Sequence, residues 1–186
     1  MSFSLMKAAR RLLNRLLHLT ARHVPGASSV RVMIHRWRGV RIGARVFIGD
    51  DVYLENEYPE RIEIQDGAQI SIRAILLAHT RGPGWIVIEK DAYIGPNTVV
   101  AASGGQTLRI GEGAVVGAGV VVTKSIPPRT FVPPPSANPV ATVTVPLASA
   151  ERVEDFIRGL VPLKTRVKSE IRSESRDSET LVPIRE

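Results

Sequence analysis

Cysteine is absent from this chain of 186 residues, which removes disulfides, thiol nucleophiles and thiolate metal ligands from its chemistry. Aromatic residues make up only 5%. No stacking platform or recognised motif for nucleic acid accompanies the basic residues, so nucleic acid is not expected as a partner. No stretch reaches the roughly 20 apolar residues of a membrane span, and Arg15 interrupts the one apolar run that resembles a leader, so no cleaved signal peptide is expected. No serine stands in a nucleophile-elbow context, so a covalent enzyme intermediate is not expected. Acid is missing from a whole segment. Residues 1–49 hold Lys7, Arg10, Arg11, Arg15, Arg22, Arg31, Arg36, Arg38, Arg41 and Arg45 and neither Asp nor Glu, so the net charge of +7 resides at that end. A cysteine-free chain fits a reducing cytoplasm, and the basic segment adds the inner membrane face as a peripheral site.

What the chain has instead is a beat of six residues. Large aliphatics recur at Ile42, Ile48 and Leu54, at Ile64, Ile70 and Leu76, at Ile88, Ile94 and Val100, and at Ile110, Val116 and Val122. Neither helical spacing nor two-residue alternation gives such a period; a short strand followed by a turn does. Three such units close one coil, with the aliphatics inside and stacked on those of the next coil. Val46, Ala68, Ala74, Ala92, Thr98 and Ala114 hold the fifth place and fill the rest of a narrow interior. Gly43, Gly49, Gly95, Gly111 and Gly117 suit turns with unusual backbone angles.

The sets start at 42, 64, 88 and 110, so each coil is longer than three units. The surplus falls after the third unit, at Pro59–Glu63, Arg81–Val87 and Gly104–Arg109. Insertions at one phase stack on one corner, which marks it as the working edge. His79 sits at the lip of that corner and is the one histidine of four inside the repeats. An imidazole in its neutral form can take a hydroxyl proton near neutral pH. The plainer alternative is a strand-capping histidine bound to a carbonyl. Glu55-Asn56-Glu57 lies one coil earlier at a similar phase, to orient that ring, to hold an acceptor, or simply as a solvated acidic loop. Ser103-Gly104-Gly105 lies one coil later. Trp85 roofs this corner or anchors its loop.

The ends differ from the repeats. Residues 1–40 read as a basic amphipathic helix and lead-in, 41–145 as the repeat domain, and 146–186 as a short helix over Glu151–Leu160 with a polar tail. Leu5, Ala9, Leu12, Leu13, Leu16 and Leu17 form one face of the first helix, and Lys7, Arg11, Asn14, Arg15 and His18 another. The leucine face either packs on the first coil as a solenoid cap, the preferred expectation, or lies on an anionic membrane surface. The two uses are compatible.

The segments Leu76-Leu77-Ala78-His79-Thr80, Ile94-Gly95-Pro96-Asn97-Thr98-Val99 and Val115 to Pro128 resemble the hexapeptide-repeat acyltransferases. The likeness is to the branch of maltose, galactoside and serine acetyltransferases and envelope-polysaccharide O-acetyltransferases. It covers roughly residues 30 to 143 and implies an all-β fold, a left-handed parallel β-helix with an N-terminal helix and a short C-terminal helix and tail. It also implies a homotrimer with sites between solenoids and acetyl-CoA as cosubstrate. His79 is then the base, with Glu55 and Asn56 as its helpers, and Ser103, Gly117, Ala118, Thr123 and Lys124 line the coenzyme groove. The acceptor would be a sugar or envelope-glycan hydroxyl. One segment departs from the family pattern: Pro134, Ser136 and Asn138 stand where it has Gly, Pro and a basic residue, which bears on coenzyme binding. A non-catalytic scaffold or sugar-binding subunit, and a xenobiotic or amino-acid acetyltransferase, are the alternatives. Carbonic anhydrases on this solenoid bind zinc through three histidines; the repeats here supply one, so no metal is expected.

Overall fold

A computed structural model describes residues 2–163; the tail expected over 164–186 lies outside them. Two helices open the chain, α1 (Ser2–His23) and α2 (Val30–Trp37). Four coils follow. Their strands are Arg41–Ile42, Phe47–Ile48 and Tyr53–Leu54; Ile62–Ile64, Gln69–Ile70 and Ile75–Leu77; Trp85–Ile88, Tyr93–Ile94 and Val99–Ala101; and Thr107–Ile110, Val115–Val116 and Val121–Val122. First, second and third strands stack separately into three parallel sheets, the faces of a prism. A partial fifth coil adds a bridge at Ile126 and the strand Phe131–Val132. The register is the beat itself: Ile42 pairs with Ile64, Ile64 with Ile88, and Ile88 with Ile110.

Of the twelve beat residues, all but Ile42 are buried in one core cluster with the six fifth-place residues, Thr98 apart, which is buried beside them. Each large aliphatic buried this way contributes about 1.5–3 kcal/mol. The glycines play a different part from the expected one. The left-handed turn falls at the fourth place of the first and second units of the coils and not of the third, at Arg45, Asp51, Arg73, Asp91, Asn97 and Arg129 and at Gly67, Gly113 and Gly119. The second-place glycines instead lie against the backbone of the next coil. A Cβ on Gly95 would stand 2.7 Å from the Ala118 nitrogen and the Val116 oxygen, and one on Gly49 2.6 Å from the Ile72 nitrogen. Gly95→Ala must push two coils apart and is expected to cost about 1–3 kcal/mol, read as a lower Tm.

The corner loops fall a few residues earlier in the chain than the sequence indicates. Ile62–Ile64, Trp85–Ile88 and Thr107–Ile110 are paired strands of the first face, so the corner loops run over residues 55–61, 78–84 and 102–106.

The helices cap the first coil with their polar side. In the stack, each beat carbonyl accepts an N–H from the coil below, as Ile64 O does from Gly43 N at 2.8 Å. The first coil has none below it. Arginines take that place on every face: Arg36 Nε donates to Ile42 O (3.1 Å), Arg31 Nη1 to Ile48 O (2.6 Å) and Arg38 Nη2 to Leu54 O (3.0 Å). Val32 of α2 joins the core, and Asn14, His18 and Ala21 are the inward side of α1. Leu12, Leu13, Leu16 and Leu19 are more than half exposed. The expectation that the leucine face would pack on the coil is therefore corrected: a ring of bare carbonyls calls for donors.

Arg31 is buried and also reaches Ala21 O (2.9 Å), Val24 O (2.6 Å) and the Asp50 carboxylate. Arg31→Ala is expected to lose about 3 kcal/mol in a denaturant titration, because several buried carbonyls lose their donor together.

A second compact unit begins at Ser136, ten residues before the boundary expected from the sequence. The reason is pairing: Ala141–Val143 forms an antiparallel ladder with Leu160–Pro162 and so belongs with the chain that follows. Helix α3 (Val153–Arg158) lies between these strands.

Candidate active site

The corner between the third and first faces gathers residues from every coil. Strand register sets the column: Leu54, Leu76, Val100 and Val122 are stacked, so the residues just after them stack as well. Glu55 and Asn56 follow the first, His79 and Thr80 the second, Ser103 the third, and Thr123 and Lys124 the fourth.

Glu55 is fully buried, and its carboxylate is shared between two coils. Oε1 accepts the Glu57 N–H at 2.8 Å, and Oε2 accepts the Ala78 N–H at 3.0 Å. Oε2 also accepts from His79 Nδ1, whose ring is 37% exposed. Burial pushes the Glu55 carboxyl up. The hydrogen bonds from His79, Glu57 and Ala78, with the charge of the imidazole, outweigh that and hold it below the ordinary carboxylate value. An ionised acceptor on Nδ1 keeps the proton there and leaves the Nε2 lone pair free. The Tyr58 ring stands edge-on to the imidazole with centroids 5.9 Å apart. The outcome is an imidazole with a fixed tautomer and one open nitrogen, an arrangement able to accept a proton.

Asn56 sits beside this pair without joining it. Its Oδ1 accepts from Arg38 Nη2 at 3.0 Å, and its carbonyl accepts from Asn14 Nδ2. Adjacent residues on an extended chain project to opposite sides, so Glu55 meets His79 and Asn56 meets the cap. Arg38 also donates to Glu55 O at 2.7 Å. The loop carrying the carboxylate is thus pinned by a buried guanidinium. Sequence reasoning had placed Arg38 only in the basic segment; its sole signal was its place just before the first beat.

One coil beyond His79, Thr80 Oγ1 and Ser103 Oγ are 3.3 Å apart. Gln106 joins Ser103 to the next coil: its Oε1 accepts the Ser103 N–H at 3.0 Å and its Nε2 donates to Thr123 O at 3.0 Å. Gln106 was missed, since one glutamine in a loop carries no pattern. Lys124 is exposed at the same corner. Gly117 and Ala118 are elsewhere, between the second and third faces. A Cβ on Gly117 would stand 2.5 Å from the Pro134 nitrogen, so that glycine serves the approach of the fifth coil. Trp85 is the first residue of a strand, with the guanidinium carbons of Arg41 and Arg61 at 4.9 and 5.2 Å from its ring centroid. It anchors the loop.

An open cleft of about 250 Å³ adjoins Tyr58, lined by Arg10, Arg11, Asn14, Arg38, Asn56 and Glu57 among others. A larger hollow of about 450 Å³ lies by Ile42, Gly43, Asp66 and Lys90, at another corner from His79. Among the described residues no group of three His, Cys, Asp or Glu side chains is placed to hold a metal ion.

No family model matches the chain. It is 25% identical over 139 residues to "Putative acetyltransferase YvoF" of Bacillus subtilis (strain 168), which covers 72% of this chain and 77% of that protein. A solved structure, the hexapeptide-repeat-containing acetyltransferase VCA0836 of Vibrio cholerae, superposes with a TM-score of 0.54 at 22% identity. That match covers 69% of this chain and 87% of the other. The fold of this protein is accordingly the left-handed parallel β-helix of hexapeptide-repeat proteins.

Proposed function

We propose that this protein is an acyltransferase that moves an acetyl group from acetyl-CoA to a hydroxyl of a sugar or envelope-glycan precursor. The observation that carries this is the Glu55–His79 pair, a buried carboxylate fixing an imidazole whose other nitrogen is open. Similarity to a relative named as an acetyltransferase supports the transfer class. Acetyl-CoA supplies the thioester. Lys124 is the cation of the corner for its phosphates, and Ser103, Gln106 and Thr123 offer polar edges along the same corner.

In the reaction the acceptor hydroxyl attacks the thioester carbonyl while His79 Nε2 takes its proton. Glu55 stabilises the imidazolium that results. Backbone N–H groups of the corner stabilise the oxyanion. Collapse of the tetrahedral adduct breaks the carbon–sulfur bond, and His79 returns the proton to the leaving thiolate. The products are an acetyl ester and the free thiol. The acceptor occupies the cleft beside Tyr58, and no enzyme-bound acetyl group forms.

Assembly as a homotrimer belongs to the same proposal. Its support is an outward ladder of Tyr53, Ile75, Val99 and Val121 on the third face, with Val121 66% exposed. Such a ladder next to His79 gives a neighbouring solenoid a surface against which to close the site.

Incubation of the purified protein with acetyl-CoA and a panel of glycans, read by thiol release and product mass, tests the function. Calorimetric binding of acetyl-CoA with a mass gain of one acetyl group on a glycan is the expected result. If acetyl-CoA does not bind, the scaffold reading stands, and Pro134, Ser136 and Asn138 are its explanation. An acetylated amine with no acetylated glycan would reassign the acceptor to the xenobiotic or amino-acid class.

A further inference from the structure

Most of the cap is explained by the carbonyl ring it covers, but one side of it is not. Leu12, Leu13, Leu16 and Leu19 of α1 are 62%, 57%, 54% and 53% exposed. At 100° per residue these four occupy one stripe, opposite the inward Asn14, His18 and Ala21. Arg11 and Arg15 border the stripe on one side and Arg10 lies beyond Leu13 on the other, all three exposed. A second apolar row runs along α2, where Val30, Met33 and Trp37 share helical spacing and are 39%, 40% and 65% exposed. Soluble surfaces rarely leave leucines in such a row without a use.

Charge decides what covers the stripe. The segment 1–49 holds ten cations and no acid. Arg31, Arg36 and Arg38 are committed to carbonyls of the first coil, and Arg22 to Asp51. Arg10 and Arg11 form no ion pair among the described residues, and Arg15 has only Glu57 at 4.0 Å. A second copy of this chain would bring like charges together around its own leucines. An anionic bilayer answers both features, taking leucines into its acyl boundary and guanidinium groups among its phosphates. The exposed Trp37 of α2 is a residue type suited to such an interface. No helix among the described residues is long and apolar enough to cross a membrane, so contact would be with the surface.

We propose that the leucine stripe of α1, flanked by Arg10, Arg11 and Arg15, docks on the surface of an anionic lipid bilayer. Arg10 and Arg11 also line the cleft given to the acceptor, so the leucine variant is the one that separates docking from the acetyltransferase reading.

The test is co-sedimentation of the full chain with phosphatidylcholine vesicles and with vesicles containing about a third phosphatidylglycerol, at low and high salt. Wild type is expected to bind the anionic vesicles at least tenfold more tightly and to lose binding with salt. Leu12→Glu/Leu16→Glu is expected to lose at least tenfold in binding with unchanged Tm, since both side chains face solvent. Arg10→Gln/Arg11→Gln is expected to lose roughly fivefold per guanidinium and to weaken the salt dependence. Wild type that ignores anionic vesicles overturns the proposal, as does a leucine variant that still binds. If the leucine variant forms a smaller assembly in vesicle-free solution while wild type does not bind lipid, a second copy covers the stripe instead.

Discussion

His79→Ala is expected to lower the rate of acetyl transfer by about 10³-fold while leaving acetyl-CoA affinity within about twofold. In the proposed mechanism the imidazole acts on the proton of the acceptor, so its loss should be felt in kcat with an unchanged dissociation constant. Glu55→Gln separates the two halves of the pair. The amide oxygen can still accept the Glu57 N–H, while the Ala78 N–H loses its acceptor. Its NH₂ group, set against His79 Nδ1, draws the ring toward the tautomer with the proton on Nε2, which then cannot act as a base. A loss of about 10²-fold or more in kcat is expected, with a cooperative melting transition lowered by about 1–3 kcal/mol for the Ala78 N–H left without an acceptor. The paired measurements are single-turnover acetyl transfer and calorimetry. Retention of more than a tenth of the wild-type rate by His79→Ala would remove the imidazole from the chemistry, whatever the coenzyme affinity.

Acid should undo the cap before it reaches the carboxylates. His18 and His35 are buried between the helices and the first coil. Burial, with the nearby guanidinium of Arg38, lowers His18 to about 4 and His35 to about 3. Arg22 adds to this at His18, and Asp51 and Glu55 oppose it weakly; Arg31 adds to it at His35. His35 Nδ1 accepts from Arg38 Nη1 at 2.8 Å, which needs a neutral ring, and both His18 nitrogens lack a partner. A folded value below the unfolded one means that the unfolded chain takes up protons first. Stability is therefore complete above the ordinary value of about 6.5 and falls as pH drops toward 4 for His18 and toward 3 for His35. The slope is about 1.4 kcal/mol per pH unit for each ring, a loss of about 3 kcal/mol from His18 alone by pH 4. Urea titrations from pH 7.5 to 4 read it directly. His18→Leu, which removes a titrating group and two unpartnered nitrogens, is expected to flatten the curve. An identical slope in that variant would place the acid sensitivity elsewhere.

How much of this was legible in the chain depends on what each residue faces. The beat residues face only one another, so their period passes straight into the core. Glu55 and His79 were readable because each falls within three residues of a stacked third-face beat residue, Leu54 or Leu76, at one corner. Asn56 was not, because a shift of one position turns a side chain to the other side of the strand. The left-handed turns at Arg45, Arg73 and Arg129 fall on a residue type that gives no such signal; Asp51, Asp91 and Asn97 tolerate the conformation, and the second-place glycines drew attention away from it. The leucine face misled for a deeper reason. Amphipathic patterns are read on the assumption that what lies beneath a helix is greasy, and here it is a rim of carbonyl oxygens.

That rim gives the molecule a beginning in a sense the repeats do not have. Any coil can stack on any other, so nothing in the repeat itself says where the column should stop or forbids two columns from joining end to end. Three guanidinium groups, one for each side of the prism, occupy the carbonyls that another molecule's last-coil amides would seek. The protein thus carries its own full stop at one end. Coils of about this size can be gained or lost farther along without altering it, and length becomes a trait that can vary while the start stays fixed.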